Sequence, residues 1–155
     1  MVRSSLPRRV HLESDTLLGY DLQFGTNVLG HFYLTKLLLP LLLSTVQSSP
    51  DAHVRITSLS TVSAVMSGRL HFLAFKPDSE PSTRARRGLG RQALYMQSKY
   101  GAVILALELA RRYGDKGIVS TCVNPGSART GIYRWVRMTW SEKLVHVSLQ
   151  PIPLK

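Results

Sequence analysis

Apolar positions divide the chain into four ordered segments. From Asp15 to about Leu43, the residues Leu22, Val28, Leu29, Phe32 and Tyr33 recur at helical spacing, and Asp15 or Thr16 supplies an N-terminal cap. Pro40 predicts a kink or a restart in this helix, and the run "LLLPLLL" from Leu37 to Leu43 reads as core. After the turn-like "SSPD", Val54, Ile56 and Thr57 in "HVRITSLS" predict a buried strand over His53 to Ser60 that runs into a polar loop. "FKPDSEPSTRARRGLG", Phe75 to Gly90, has no period and predicts an excursion without regular structure. A second helix is predicted from about Arg91 to Tyr113, with Leu94, Val103, Ile104, Leu107 and Ala110 largely on one side. Arg111 and Arg112 complement its negative end, and Gly114 follows it. The near-continuous β-branched run in "GIVSTCVNPG" predicts a parallel strand covered on both faces and stopped by Pro125 and Gly126. The order helix, strand, helix, strand predicts an α/β fold with helices packed on an open sheet.

Composition changes this picture little. The 155 residues are 44% hydrophobic and 19% charged, which is globular composition and enough to bury one core. The net charge of +11 raises a polyanionic partner, but the cations are scattered: Arg8 and Arg9, Arg84 to Arg91, Arg111 and Arg112, then Arg129, Arg134 and Arg137. No aromatic stripe or nucleic-acid motif accompanies them, so they read as solvated surface and no nucleic-acid partner is expected. The single cysteine, Cys122, excludes an intrachain disulfide and reads as a small core residue in a reducing, cytoplasmic compartment. "LLLPLLL" falls far short of the roughly 20 residues of a spanning helix, so no membrane span is expected. The first 14 residues read as a lead-in that lacks the apolar stretch of a signal peptide. No cluster of metal-ligand residues stands out at a ligand spacing.

The chemistry lies in "ALYMQSKYGAV". Tyr95 and Lys99 are four apart in a predicted helix and share one face. A phenol titrates near 10, and a fixed cation beside it favours the phenolate, which brings it toward useful acid/base strength. Spacing alone favours a packed tyrosine and a solvated lysine.

Three further stretches shift that balance. "NVLGHFYLTKLLLPLLL", "RITSLSTVSA", "YMQSK" and "NPGSART" stand in the order found in short-chain dehydrogenases/reductases. From about Gly19 to Ile132 the chain resembles this family, particularly its retinol-dehydrogenase-like and fungal branches. The resemblance implies a partial Rossmann-like doubly wound parallel sheet, the middle portion of the family fold, over residues 15–132, with 133–155 an atypical tail. It implies an NAD(P)-dependent oxidoreductase that interconverts an alcohol and a carbonyl on a small-molecule substrate. In that scheme Tyr95 exchanges a proton with the substrate oxygen, and Lys99 holds the ribose hydroxyls of NADP or NAD. Asn27 supports a water on the proton path. The family's serine falls at Thr61, with Ser60 just before it, and a threonine hydroxyl can donate the same hydrogen bond with an added methyl in the way. Pro125, Gly126, Ala128 and Thr130 match the loop that meets the nicotinamide.

The family's glycine-rich turn, which brings backbone N–H groups to the pyrophosphate, has no counterpart in this sequence. Neither "GLGR" nor "GYDLQFG" follows a strand with the required glycines. The text after Ile132 matches neither the family's substrate helices nor its last strand. Impaired activity is therefore expected of the chain on its own, with a non-catalytic interaction module as the alternative. The two long helices match those that commonly form the family's dimer interface, so a homo- or heterodimer is expected through them.

Overall fold

The computed structural model describes residues 18–48, 54–77 and 79–126. The chain divides after Asn124, and of its second part, Pro125–Lys155, only Pro125 and Gly126 are among the described residues. The first part is α/β. Asp21 caps a short helix, α1 (Leu22–Phe24), by accepting the Phe24 N–H on Oδ1 at 2.8 Å. A π-helical turn (Gly25–Gly30) leads on into α2 (His31–Ser48). Strand β1 (Val54–Leu59), a 3₁₀ turn (Val62–Ser67) and the short α3 (Phe72–Phe75) follow. A long helix, α4 (Glu80–Tyr113), leads through a second 3₁₀ turn to β2 (Ile118–Val123). Strands β1 and β2 pair in parallel, Val54 opposite Ile118 through Leu59 opposite Val123. The connection through α4 is the crossover that a parallel pair requires. The architecture is that of a piece of Rossmann-like doubly wound sheet.

The core lies between α4, α3 and the α1–π segment. Phe24 and Phe75 stack with ring centroids 4.1 Å apart, and Val28, Ala74 and Leu94 close around them. Gly101 on α4 lets this segment approach: a Cβ there would stand 2.8 Å from Val28 Cγ2. At the base of the sheet Gly117 has φ +84° and faces Val46 of α2, so the turn into β2 takes glycine for both its backbone and its space.

Several expectations are corrected. The stretch Phe75 to Gly90 is not irregular, because α3 ends in it and α4 begins at Glu80. Its start carries a reciprocal cap: Ser79 accepts from Ser82 N–H, and Ser82 Oγ accepts from Ser79 N–H. Pro81 sits in the first turn, where its missing donor costs nothing. Gly90, at φ 75° and ψ 164°, breaks the helix, so the predicted start at Arg91 marks its second half. Within the arginine cluster, Arg86 is buried and not solvated. Its guanidinium donates to the carbonyls of Ala74 at 2.7 Å and Gly19 at 2.8 Å and to that of Lys76, tying three segments together. These partners are distant carbonyls, so periodicity carries no trace of them.

Helix α2 runs through Pro40 to Ser48, and its leucines are not core: Leu37 is 60% and Leu41 63% exposed. Together, Leu22–Ser48 forms a helical run long and apolar enough, by length and composition, to cross a membrane. The seven residues "LLLPLLL" understate that length. The proposed caps Asp15 and Thr16 lie outside the described residues. Strand β2 is covered on one face only among the described residues: Ile118 is buried against α4, while Val119 and Val123 are exposed. Cys122 is half-buried, on the face that meets α4.

Candidate active site

Tyr95 and Lys99 project from one face of α4. The Lys99 ammonium lies 5.9 Å from the centroid of the Tyr95 ring, within the range of a cation–π contact. Lys99 Nζ also donates to the Leu59 carbonyl at 3.3 Å, which aims the lysine at the C-terminal end of β1. Ligands of open parallel α/β sheets bind outside the carboxyl ends of the strands, where this pair stands.

Ser60 is committed elsewhere. It is buried, its N–H donates to Val123 O at 2.9 Å, and its hydroxyl donates to the Lys99 carbonyl at 2.9 Å. It therefore fastens the end of β1 to both β2 and α4. Thr61 follows in extended conformation, half-buried, and its carbonyl accepts from Ala64 N–H to open the 3₁₀ turn. Its Oγ1 lies 3.4 Å from Ser63 Oγ, a long contact that either hydroxyl can donate.

Asn27 lies in the π-helical turn, a wide turn of a kind common at functional sites. Its Nδ2 donates to Ser98 Oγ at 3.0 Å, and Ser98 Oγ in turn donates to the Tyr95 carbonyl at 2.7 Å. The α1–π segment is thus hydrogen-bonded to the turn of α4 that separates Tyr95 from Lys99. Ser98 was not singled out from sequence. The signal available was its place inside the Tyr-to-Lys interval. Cys122 borders the same region: burial pushes its thiol up, against an interaction with Ser60 and the charge of Lys99 that act the other way. The direction favours the protonated thiol over the thiolate.

Tyr95, Lys99, Ser60 and Asn27 are thus joined in one network, with Thr61 at its border. Pro125 and Gly126 belong to the second part of the chain, where Gly126 has φ +72°. Ala128 and Thr130 lie outside the described residues.

An α/β unit thus carries a tyrosine–lysine pair at the C-terminal end of a strand. Two short-chain dehydrogenase/reductases of Armillaria gallica are similar to it, one 45% identical over 88% of this chain and 41% of its own length, the other 42% identical over 92% and 43%. Human retinol dehydrogenase 13 is 37% identical over 75% of this chain and 31% of its own length. The chain belongs to the short-chain dehydrogenase/reductase family. It spans about two fifths of the length of the Armillaria relatives. No family model matches it.

Proposed function

We propose that this chain carries the proton-transfer side of an NAD(P)-dependent oxidoreductase site that interconverts an alcohol and a carbonyl. The observation that supports the proposal best is the placement of Lys99 Nζ, beside the Tyr95 ring and at the carboxyl end of β1. An ammonium has three donors, and the Leu59 carbonyl takes one, so the residue fits a ligand rich in hydroxyl acceptors such as the ribose next to a nicotinamide. Bound there, the nicotinamide supplies or takes the hydride.

The chain's own residues handle the proton and the charge. Tyr95 donates its hydroxyl proton to the carbonyl oxygen in reduction and takes it back in oxidation. The ammonium of Lys99 stabilises negative charge on the tyrosine oxygen in between. Thr61 Oγ1 donates to the oxygen as charge grows on it. Asn27, held by Ser98, supports the path by which Tyr95 is reprotonated.

The test is transfer of deuterium from 4-deuterated NADPH or NADH to a panel of small ketones and aldehydes by the full chain. Deuterium on the product carbinol carbon, lost in Tyr95→Phe, is expected. Equal incorporation by both proteins would contradict the proposal.

The exposed leucines of α2 favour a second reading, an interaction module. On that reading Leu34, Leu37 and Leu41, all more than half exposed, meet a second copy or a longer relative.

A further inference from the structure

We propose that Ser98 is a positioning residue that sets the distance between Asn27 and the Tyr95–Lys99 turn; the proposal rests on the oxidoreductase reading above. Ser98 is fully buried, with 0% of its surface exposed. Its one proton goes to the Tyr95 carbonyl and one of its lone pairs takes the Asn27 amide, so it links two segments 71 residues apart in sequence. In a regular helix the Tyr95 carbonyl also accepts the Lys99 N–H, so the Ser98 hydroxyl bears on the turn that spaces the acid from the cation. From the other side Ser60 grips the Lys99 carbonyl. The turn is held at both ends, by Asn27 through Ser98 and by β1 through Ser60.

Replacing Ser98 by alanine removes both bonds and leaves the Asn27 amide without its acceptor, while Ser60 still holds Lys99. Asn27 is then free to turn, and the proton path loses its register with Tyr95 while the Lys99 anchor persists. A serine that merely fills space would change neither the amide nor the proton step selectively.

The test uses the full chain labelled with ¹⁵N-asparagine. Asn27 and Asn124 are its two asparagines, and Asn27→Asp assigns the side-chain signals. In Ser98→Ala the Asn27 side-chain protons are expected to exchange about tenfold faster than in the native chain, with Ser98→Cys in between because a thiol is the weaker partner. In turnover, Ser98→Ala is expected to lower kcat while leaving cofactor affinity unchanged, with partial recovery in Ser98→Cys. Identical Asn27 signals in the native chain and Ser98→Ala overturn the proposal. So does a parallel loss of cofactor affinity and kcat with no recovery in Ser98→Cys. Should Ser98→Ala fail to fold, the Asn27 amide in Ser98→Cys decides. Absence of turnover by the native chain would defeat the oxidoreductase reading, and the amide measurement would still decide the role of Ser98.

Discussion

A tyrosine can act as an acid only if its environment tolerates the charge left behind, and on the proposed reading the Lys99 ammonium, 5.9 Å from the centre of the Tyr95 ring, supplies that tolerance. Tyr95→Phe keeps the ring and removes the proton, so turnover should fall by about 10²–10⁴-fold with melting temperature and cofactor affinity preserved. On the proposed reading Thr61 supplies the hydroxyl for the developing oxyanion. Thr61→Val, similar in shape, should lower kcat about 10²-fold, whereas Thr61→Ser should retain or raise it. Steady-state kinetics on the three variants separates these effects, and equal loss in Thr61→Ser and Thr61→Val would remove Thr61 from the site. That Tyr95 and Lys99 share a face was legible in the sequence because residues four apart on a helix face alike wherever the helix is placed; their reading as a pair came from the family resemblance. The tie between Ser60 and α4 was not legible in the sequence. It depends on the Lys99 carbonyl taking the Ser60 proton, a contact across 39 positions that no local pattern records.

Element by element, periodicity served best where a helix or strand is held by its own face. The second half of α4 and both strands fall close to their predicted bounds. The first half of α4 escaped because much of its hold is polar: a serine cap and the buried Arg86 supplement a short apolar stripe of Ala85 and Leu89. The packing of α4 on the π-helical turn rests on Gly101. Gly101→Ala gains about 1 kcal/mol of helix propensity, but the new methyl would meet Val28, a β-branched residue with few other rotamers, and overpacking costs about 1–3 kcal/mol. A net destabilisation is expected, read as a lower urea midpoint and relieved by Val28→Ala. Farther along α4, hydrogen bonds from Arg111 and Arg112 lower the Glu108 carboxyl from 4.5 to about 2. A depressed carboxyl contributes stability above its unfolded value, and that contribution is lost as pH falls toward its folded value. The difference in melting temperature between the native chain and Glu108→Gln should therefore vanish between neutral pH and about pH 2. As Glu108 is partly exposed and both arginines are exposed, the difference should be small and shrink in salt.

For the whole molecule, the fold class was legible from the order of elements, and the surfaces were not. Leu37 to Leu43 read as core because seven apolar residues in a row ordinarily are, yet α2 touches the rest of the described chain chiefly at its ends and leaves Leu37 and Leu41 to solvent. Such a face calls for cover. Light scattering after gel filtration should give a mass above the 17.3 kDa of one chain, and Leu37→Glu with Leu41→Glu should restore that mass. A native monomer would oppose a docking role for α2. The central claim is that Lys99 anchors the nicotinamide end of a dinucleotide beside Tyr95. It is tested most directly by saturation-transfer NMR on the full chain with NADPH and NADH. Saturation should concentrate on the nicotinamide and adjacent ribose protons and disappear in Lys99→Ala. Signals strongest on the adenine, or unchanged in Lys99→Ala, would contradict it.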